Sequence, residues 1–369
     1  MIRNSIIIPF HSNANLLSMC VESLYKVVDF DDTEIIIVDN NANGSQIPSS
    51  LQLHQKCRIL TKNANLMYPQ AINLGAENAK GKYLVFCDAD TYPQKGFYHA
   101  LTAALKEDGV GYAAAKLLNM HTNALLEFGI TSSYYNFPHP FTGRHYDFEL
   151  VKNNHYPLAA CAACSAIEKD LFLSIGGFDT ELIHSYSDID LCLRLKERGY
   201  STICVTDAFA YHYGSSTIDS GMSASLKEDT KGIFMKKHPN IPVQILYYVD
   251  MACRYFLETH KIRTKDYCIL DCSTIANSAL YLDRVTDNLD LNETLRYRLP
   301  YRQRDALYID YINFIPYSIR NYRVPLLYFV DSFQSFRENN LWKSCRADFD
   351  DLVVDRHANI ELLRNVWPI

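Results

Sequence analysis

Three runs constrain what this chain can fold into: Ser5-Ile6-Ile7-Ile8-Pro9-Phe10, Thr33-Glu34-Ile35-Ile36-Ile37-Val38 and Tyr83-Leu84-Val85-Phe86-Cys87. Each is too short for a helix, and each is apolar at almost every position and rich in β-branched or aromatic residues. They therefore read as strands buried on both faces. Such strands belong to mostly parallel sheets with helices packed on either side. Helical spacing in Leu16–Leu24 and in Pro69–Lys80, the latter stopped by Gly81, alternates with these runs and with the shorter strand Cys57-Arg58-Ile59-Leu60. The alternation predicts an α/β, Rossmann-like fold with a mostly parallel central sheet. In open sheets of this kind ligands lie beyond the carboxyl ends of the strands. Here every strand runs out into a polar cluster: Pro9–Ser12, Asp39–Asn41, Lys62–Asn65 and Asp88–Asp90.

The last cluster is the most informative. In extended chain, residues i and i+2 point the same way, so Asp88 and Asp90 share one side of a strand end, with Pro93 closing the strand soon after. Paired carboxylates suit Mg²⁺ or Mn²⁺, which are held by a few protein oxygens and the phosphates of a substrate. The plain alternative is a pair of acids capping a turn. No Gly-x-Gly-x-x-Gly follows the first strand, and no Gly-Lys-Ser/Thr loop occurs, so dinucleotide and P-loop nucleotide sites lack their phosphate cradle. A cation on Asp88 and Asp90 would take over that task.

Net charge of −6 argues against a nucleic-acid partner, which would need concentrated Lys and Arg. Eleven scattered cysteines, with no leader before the first strand, point to a reducing cytoplasm. Cys161-Ala162-Ala163-Cys164 lacks a second pair at zinc spacing and reads as small buried residues. No apolar run approaches the ~18 residues of a membrane span, so membrane contact would be peripheral, at the inner face.

Further along, 97–108 reads as a helix, Gly111–Leu118 as a strand, and 121–156 as an irregular insertion facing the site. Glu168–Ile175 is a helix, Gly176-Gly177-Phe178-Asp179 a tight turn, and Ser187–Arg198 a helix with Asp188 and Asp190 in its first turn and Gly199 at its end. Thr202–Val205 is a strand that leads to Ala210-Tyr211-His212-Tyr213.

Taken together, residues 1 to about 235 resemble family 2 glycosyltransferases with the GT-A fold. Ile6-Ile7-Ile8-Pro9 and Ile37-Val38-Asp39-Asn40 are similar to the family's first two strands. Asn65 to Gly75 followed by Ala79-Lys80-Gly81-Lys82-Tyr83 is similar to its Asn- and Gly-containing run, and Asp88-Ala89-Asp90 to its Asp-x-Asp motif. Gly176-Gly177-Phe178-Asp179 and Asp188-Ile189-Asp190-Leu191-Cys192-Leu193-Arg194 are similar to its acceptor-side block. Met67 stands where the family usually has Gly, and Ser187 where Glu precedes the base.

The resemblance implies a metal-dependent inverting transfer of a hexosyl or N-acetylhexosaminyl group, with polysaccharide biosynthesis as the setting. The donor would be a nucleotide sugar, UDP-linked as first choice, and the acceptor a glycan or lipid-linked glycan hydroxyl. It implies Asp90 as principal ligand of Mn²⁺ or Mg²⁺, Asp88 as a donor contact and ligand, His212 as a third ligand, Asp188 as general base, and Asp39 as acceptor for the nucleobase. Pro9 falls in the donor-binding first strand. Asn65 and Asn73 hold either loop backbone or the diphosphate. Asp190 reads as a cap or brace, and Arg194 as a phosphate contact or, more ordinarily, a partner of Glu197 at i,i+3.

The resemblance ends near residue 235. Residues 236–369 read as a mainly α-helical C-terminal domain, with a basic, aromatic segment at Thr294–Arg323. Three roles stay open for it: docking on an anionic membrane, contact with a second copy as a homo-oligomer, or packing against the catalytic domain. Two other functions remain as rivals, a non-catalytic nucleotide-sugar-binding or scaffold protein and a sugar nucleotidyltransferase. The second would want a Gly-rich basic loop after the first strand, which Pro9–Asn15 lacks.

Overall fold

The computed structural model describes residues 2–39, 47–48, 51, 55–62, 66–133, 137–183, 185–213, 224–259, 261–262, 265–273, 278–298, 325–337 and 350–366. They form two compact units. The first comprises Met1–Thr131 and Thr142–Ile241, the second Ser132–Phe141 and Pro242–Ile369.

The first unit runs β1 (Asn4–Phe10), α1 (Ala14–Val27), β2 (Thr33–Asp39), β3 (Cys57–Thr61), α2 (Tyr68–Asn78), β4 (Tyr83–Cys87), β5 (Thr91–Pro93), α3 (Phe97–Ala104), β6 (Val110–Asn119), β7 (Leu125–Glu127), β8 (Cys164–Glu168), α4 (Lys169–Ser174), α5 (Ser187–Glu197), β9 (Ser201–His212) and α6 (Ala224–Lys237). Its sheet has the order β3-β2-β1-β4-β8-β6-β9-β5, with β7 paired to β6. The strands β3, β2, β1 and β4 are mutually parallel, as are β6 and β9, while β8 runs antiparallel between β4 and β6. Ile6 to Ile8, Ile35 to Val38 and Leu84 to Cys87 are fully buried, which is why these runs carry almost no polar side chains.

Gly81 does not stop α2, which ends at Asn78 with Ala79 as its extended cap. A Cβ on Gly81 would lie 2.6 Å from the Asn4 carbonyl carbon, so the glycine lets the chain entering β4 press against β1. Its N–H donates to Ser5 Oγ at 2.8 Å.

The second unit departs from the mainly helical expectation. It holds α7 (Ile245–Thr259), β10 (Asp266–Asp271), α8 (Ser278–Asn288), β11 (Asn292–Arg298), β12 (Leu326–Val330), α9 (Phe333–Arg337), β13 (Leu352–Asp355), β14 (Ile360–Leu362) and α10 (Leu363–Val366). Five strands form a second sheet of order β11-β10-β12-β13-β14, parallel except at β14. The physical reason lies in Cys268–Leu270, Leu326–Val330 and Leu352–Val354, short apolar runs of the kind that built β1 and β4 and too short to cover a helix face. Asp271 and Asp355 at strand ends serve turns. Asp271 accepts the Ser273 N–H at 3.1 Å and the Ser278 hydroxyl, and Asp355 accepts the His357 and Asn359 N–H groups at 2.8 and 2.9 Å. The basic stretch expected at 294–323 lies almost wholly outside the described residues. Among the described residues no helix is long and apolar enough to cross a membrane.

Candidate metal and donor site

The site is built at the carboxyl end of β4. Asp88 and Asp90 do not sit on extended chain as the i, i+2 reading had it. The strand stops at Cys87, and the Thr91 N–H and hydroxyl both donate to the Asp88 carbonyl, at 3.0 and 2.7 Å. That turn reverses the chain into β5, which pairs antiparallel with the end of β9 in the register Thr91 opposite His212. The Tyr213 N–H donates to the Asp90 carbonyl at 3.0 Å. This pairing delivers His212 to the two acids across more than a hundred residues of chain. His212 Nε2 lies 3.2 Å from Asp90 Oδ1, and one donor atom from each of Asp88, Asp90 and His212 falls within 4.8 Å of the other two.

The electrostatics fit a cation. Burial, reinforced by the neighbouring Asp90 charge, raises the Asp88 carboxyl to about 6, against the opposing pull of His212. Burial pulls the His212 imidazole down, but its hydrogen bond to Asp90 and the charges of Asp90 and Asp88 outweigh it, leaving the pKa raised. Asp88 Oδ1 is buried without a hydrogen-bond partner, and the buried Tyr68 hydroxyl lies beside this carboxylate without closing a bond of normal geometry. Two carboxylates and an imidazole, one oxygen unsatisfied, form a donor set suited to Mn²⁺ or Mg²⁺.

Asp188 stands in the first turn of α5. Its Oδ1 accepts the Ile189 N–H at 2.9 Å, and the Ile189 and Ala162 backbone amides favour its charged form. Burial nevertheless raises its pKa to about 6. Its charge is felt at Asp88, so the structure brings these acids into one electrostatic neighbourhood. Asp39 closes β2, 1 % exposed, beside Phe10 of β1 in register, and Pro9 precedes that pair opposite Val38. Asn65 lies outside the described residues.

Asn73 holds loop backbone. Its amide brackets Phe178, donating to the carbonyl at 2.8 Å and accepting the N–H at 2.9 Å. Gly177 has φ +68°, and a Cβ there would sit 2.5 Å from Asn73 Oδ1, so this turn requires glycine. Arg194 does not pair with Glu197. It binds Asp190 through Nε at 2.8 Å and the carbonyls of Ile175 and Gly177, each at 2.8 Å. Asp190, 2 % exposed, also meets His238 Nε2 at 2.8 Å, and Lys237 binds Asp179 and Glu181. The Gly-Gly-Phe-Asp turn is thereby clamped from α2, α5 and α6. Removing one partner of a buried charge network costs about 3–5 kcal/mol. Arg194→Ala is therefore expected to lower unfolding stability by about 3 kcal/mol, measured by urea denaturation.

Sequence reading missed Glu127 and Tyr68. Glu127 stands outside any motif, and Tyr68, within the Asn65–Gly75 run, carries no role there; their places become visible only once β7 pairs with β6 and the Tyr68 hydroxyl comes beside Asp88.

Residues 5–161 match the family described as Glycosyl transferase family 2. The chain is 26% identical over 227 residues to an uncharacterized protein, y4gI, of Sinorhizobium fredii, covering 58% of this chain and 24% of that protein. It is 26% identical over 224 residues to the O-antigen biosynthesis protein RfbC of Myxococcus xanthus, covering 58% of this chain and 17% of that one. The matched region is thus a small fraction of both relatives. Among solved structures, GalNAc-T7 with UDP, GalNAc and Mn²⁺ superposes with a TM-score of 0.50 at 18% identity, covering 64% of this chain and 51% of that chain. The first unit has the GT-A fold, a curled α/β sheet that is mostly parallel. Within it, the match to family 2 glycosyltransferases spans residues 5–161, under half of the chain.

Proposed function

We propose that the protein transfers a sugar, hexosyl or N-acetylhexosaminyl, from a nucleoside diphosphate donor to a hydroxyl of a glycan or lipid-linked glycan, with inversion at the anomeric carbon. The observation that carries this reading is the Asp88, Asp90 and His212 cluster beside Asp188 at the carboxyl edge of the sheet. UDP is the favoured nucleotide, because Asp39 at the end of β2 is a buried acceptor suited to uracil N3–H. The Mn²⁺ and UDP of the GalNAc-T7 structure and the O-antigen role in the RfbC name favour the same assignment.

A divalent cation held by Asp90, His212 and Asp88 would neutralise the departing diphosphate. Asp188, ionised above about pH 6, accepts the proton of the acceptor hydroxyl as that oxygen attacks the anomeric carbon from the face opposite the diphosphate. The bond from that carbon to the phosphate oxygen breaks in the same step. The clamped turn at 176–179 holds the approach to α5 still, so the base keeps its aim. Residues 236–369 are the proposed place of acceptor, membrane-surface or second-copy contacts.

A thermal-shift screen of nucleotide sugars with and without Mn²⁺ tests the donor assignment. A ligand at about 100 times its Kd adds about 2.7 kcal/mol to stability, so a UDP-sugar should raise Tm by several degrees only when Mn²⁺ is present. Equal shifts from unrelated nucleotides, or none from any, would speak against it.

A further inference from the structure

Glu127 ends β7 opposite Leu117 of β6 and is 4 % exposed. Burying a carboxylate is costly unless it satisfies specific donors. Its Oε1 accepts the Cys161 N–H at 2.8 Å, and the Cys161 and Gly129 backbone amides favour its charged form against the burial that raises its pKa. Cys161 begins a strap of three small residues. Ala162 follows, and its backbone amide favours the charged form of the Asp188 carboxylate. Ala163 comes next, and its carbonyl accepts the Asp88 N–H at 2.9 Å. Consecutive residues of one strap therefore hydrogen-bond to β7 through Glu127 and to the β4 turn through Asp88, and the residue between them bears on Asp188 at the head of α5. Both alanines are buried, 3 % and 1 % exposed, so no bulky side chain of their own locks the strap in place.

We propose that Glu127 is a positioning residue for the transfer reaction. By anchoring Cys161 it holds the strap that aims Asp188 at the acceptor hydroxyl and keeps it in register with the turn bearing Asp88. The inference rests on the reading of Asp188 as base. The groups whose charge bears on Glu127 or is borne on by it are Asp188 and Cys192 of α5, Cys204 and His212 of β9, and Cys161 of the strap. What the strap needs from position 127 is an oxygen acceptor, and this makes the inference separable from a general packing role.

Glu127→Gln keeps an oxygen at that place, whereas Glu127→Ala removes it. Both variants are to be assayed on the full chain for kcat and donor KM, and for hydrogen exchange of the Cys161 and Ala162 amides. Glu127→Ala is expected to lower kcat by about 10–100-fold with donor KM within about twofold of wild type, and to expose both amides. Glu127→Gln should restore amide protection and bring kcat to within about threefold of wild type. If Glu127→Ala does not fold, Glu127→Leu, of similar bulk and without an acceptor, takes its place. An alanine variant with wild-type kcat and protected amides overturns the proposal, and so does a glutamine variant as impaired as the alanine one. A wild-type protein that turns over no nucleotide sugar overturns the glycosyltransferase reading instead, and the amide exchange then still decides whether Glu127 holds the strap.

Discussion

Asp188→Asn is expected to lower kcat by about 10³-fold while leaving donor affinity unchanged, since a positioned general base contributes roughly 10²–10⁴-fold. The substitution is nearly isosteric, and the amide oxygen can still accept the Ile189 N–H that holds the carboxylate at 2.9 Å. What it removes is proton affinity. Because burial raises Asp188 to about 6, the group is mostly ionised at neutral pH and protonated below that value. The rate should therefore fall about tenfold per pH unit below about pH 6, and this acid limb should vanish in the variant.

Stability should move the other way. A carboxyl whose folded pKa lies above its unfolded value binds protons preferentially in the folded state, so stability declines as pH rises from about 4 to about 6 and stays lower above that. Asp188→Asn removes this penalty, and its Tm at pH 7 should equal or exceed that of wild type. Activity assays paired with thermal scans read both effects. An unchanged rate would place the base elsewhere.

The second large effect concerns the cation. Asp90→Ala and His212→Ala are each expected to abolish the dependence of donor binding on Mn²⁺ and to weaken that binding about 100-fold, equivalent to about 2.7 kcal/mol. Without a cation, burial and the neighbouring Asp90 charge hold Asp88 at about 6, and the hydrogen bond to Asp90 with the charges of Asp90 and Asp88 raises the His212 imidazole above its ordinary value. Metal binding must displace the imidazole proton. Metal affinity should therefore rise with pH as Asp88 and the imidazole give up their protons. Calorimetric Mn²⁺ titrations at several pH values measure this, and a pH-independent affinity would argue that His212 is not a ligand.

The legible parts of the fold were those in which local pattern and burial agree. Ile6–Ile8, Ile35–Val38 and Tyr83–Cys87 announce strands because burial on both faces leaves no room for polar residues. Asp188 and Asp190 announce the start of α5 because acids favour a helix N-terminus. The same apolar signal was present in Leu326–Val330 and Leu352–Val354, but among so many aromatic and helical residues it was outweighed, and the second sheet went unseen.

What sequence could not carry was pairing at a distance. The meeting of His212 with Asp90 depends on the register of β5 against β9, and that of Arg194 with the Ile175 and Gly177 carbonyls on how the Gly176–Asp179 turn folds back over α5. Glu127 matters only because β7 returns beside Cys161. Asn73 was recognisable as a site residue, yet its two bonds to Phe178 show it bracing the turn.

The central claim is that a divalent cation on Asp88, Asp90 and His212 holds the diphosphate of the donor. The most direct measurement is the affinity of the full chain for UDP, by calorimetry at pH 7.5, with saturating Mn²⁺ and again in excess chelator. Binding should be at least about 100-fold tighter with the cation, with no such gain in Asp90→Ala. Equal affinity in the two conditions, or a Mn²⁺ effect that survives in Asp90→Ala, would contradict it.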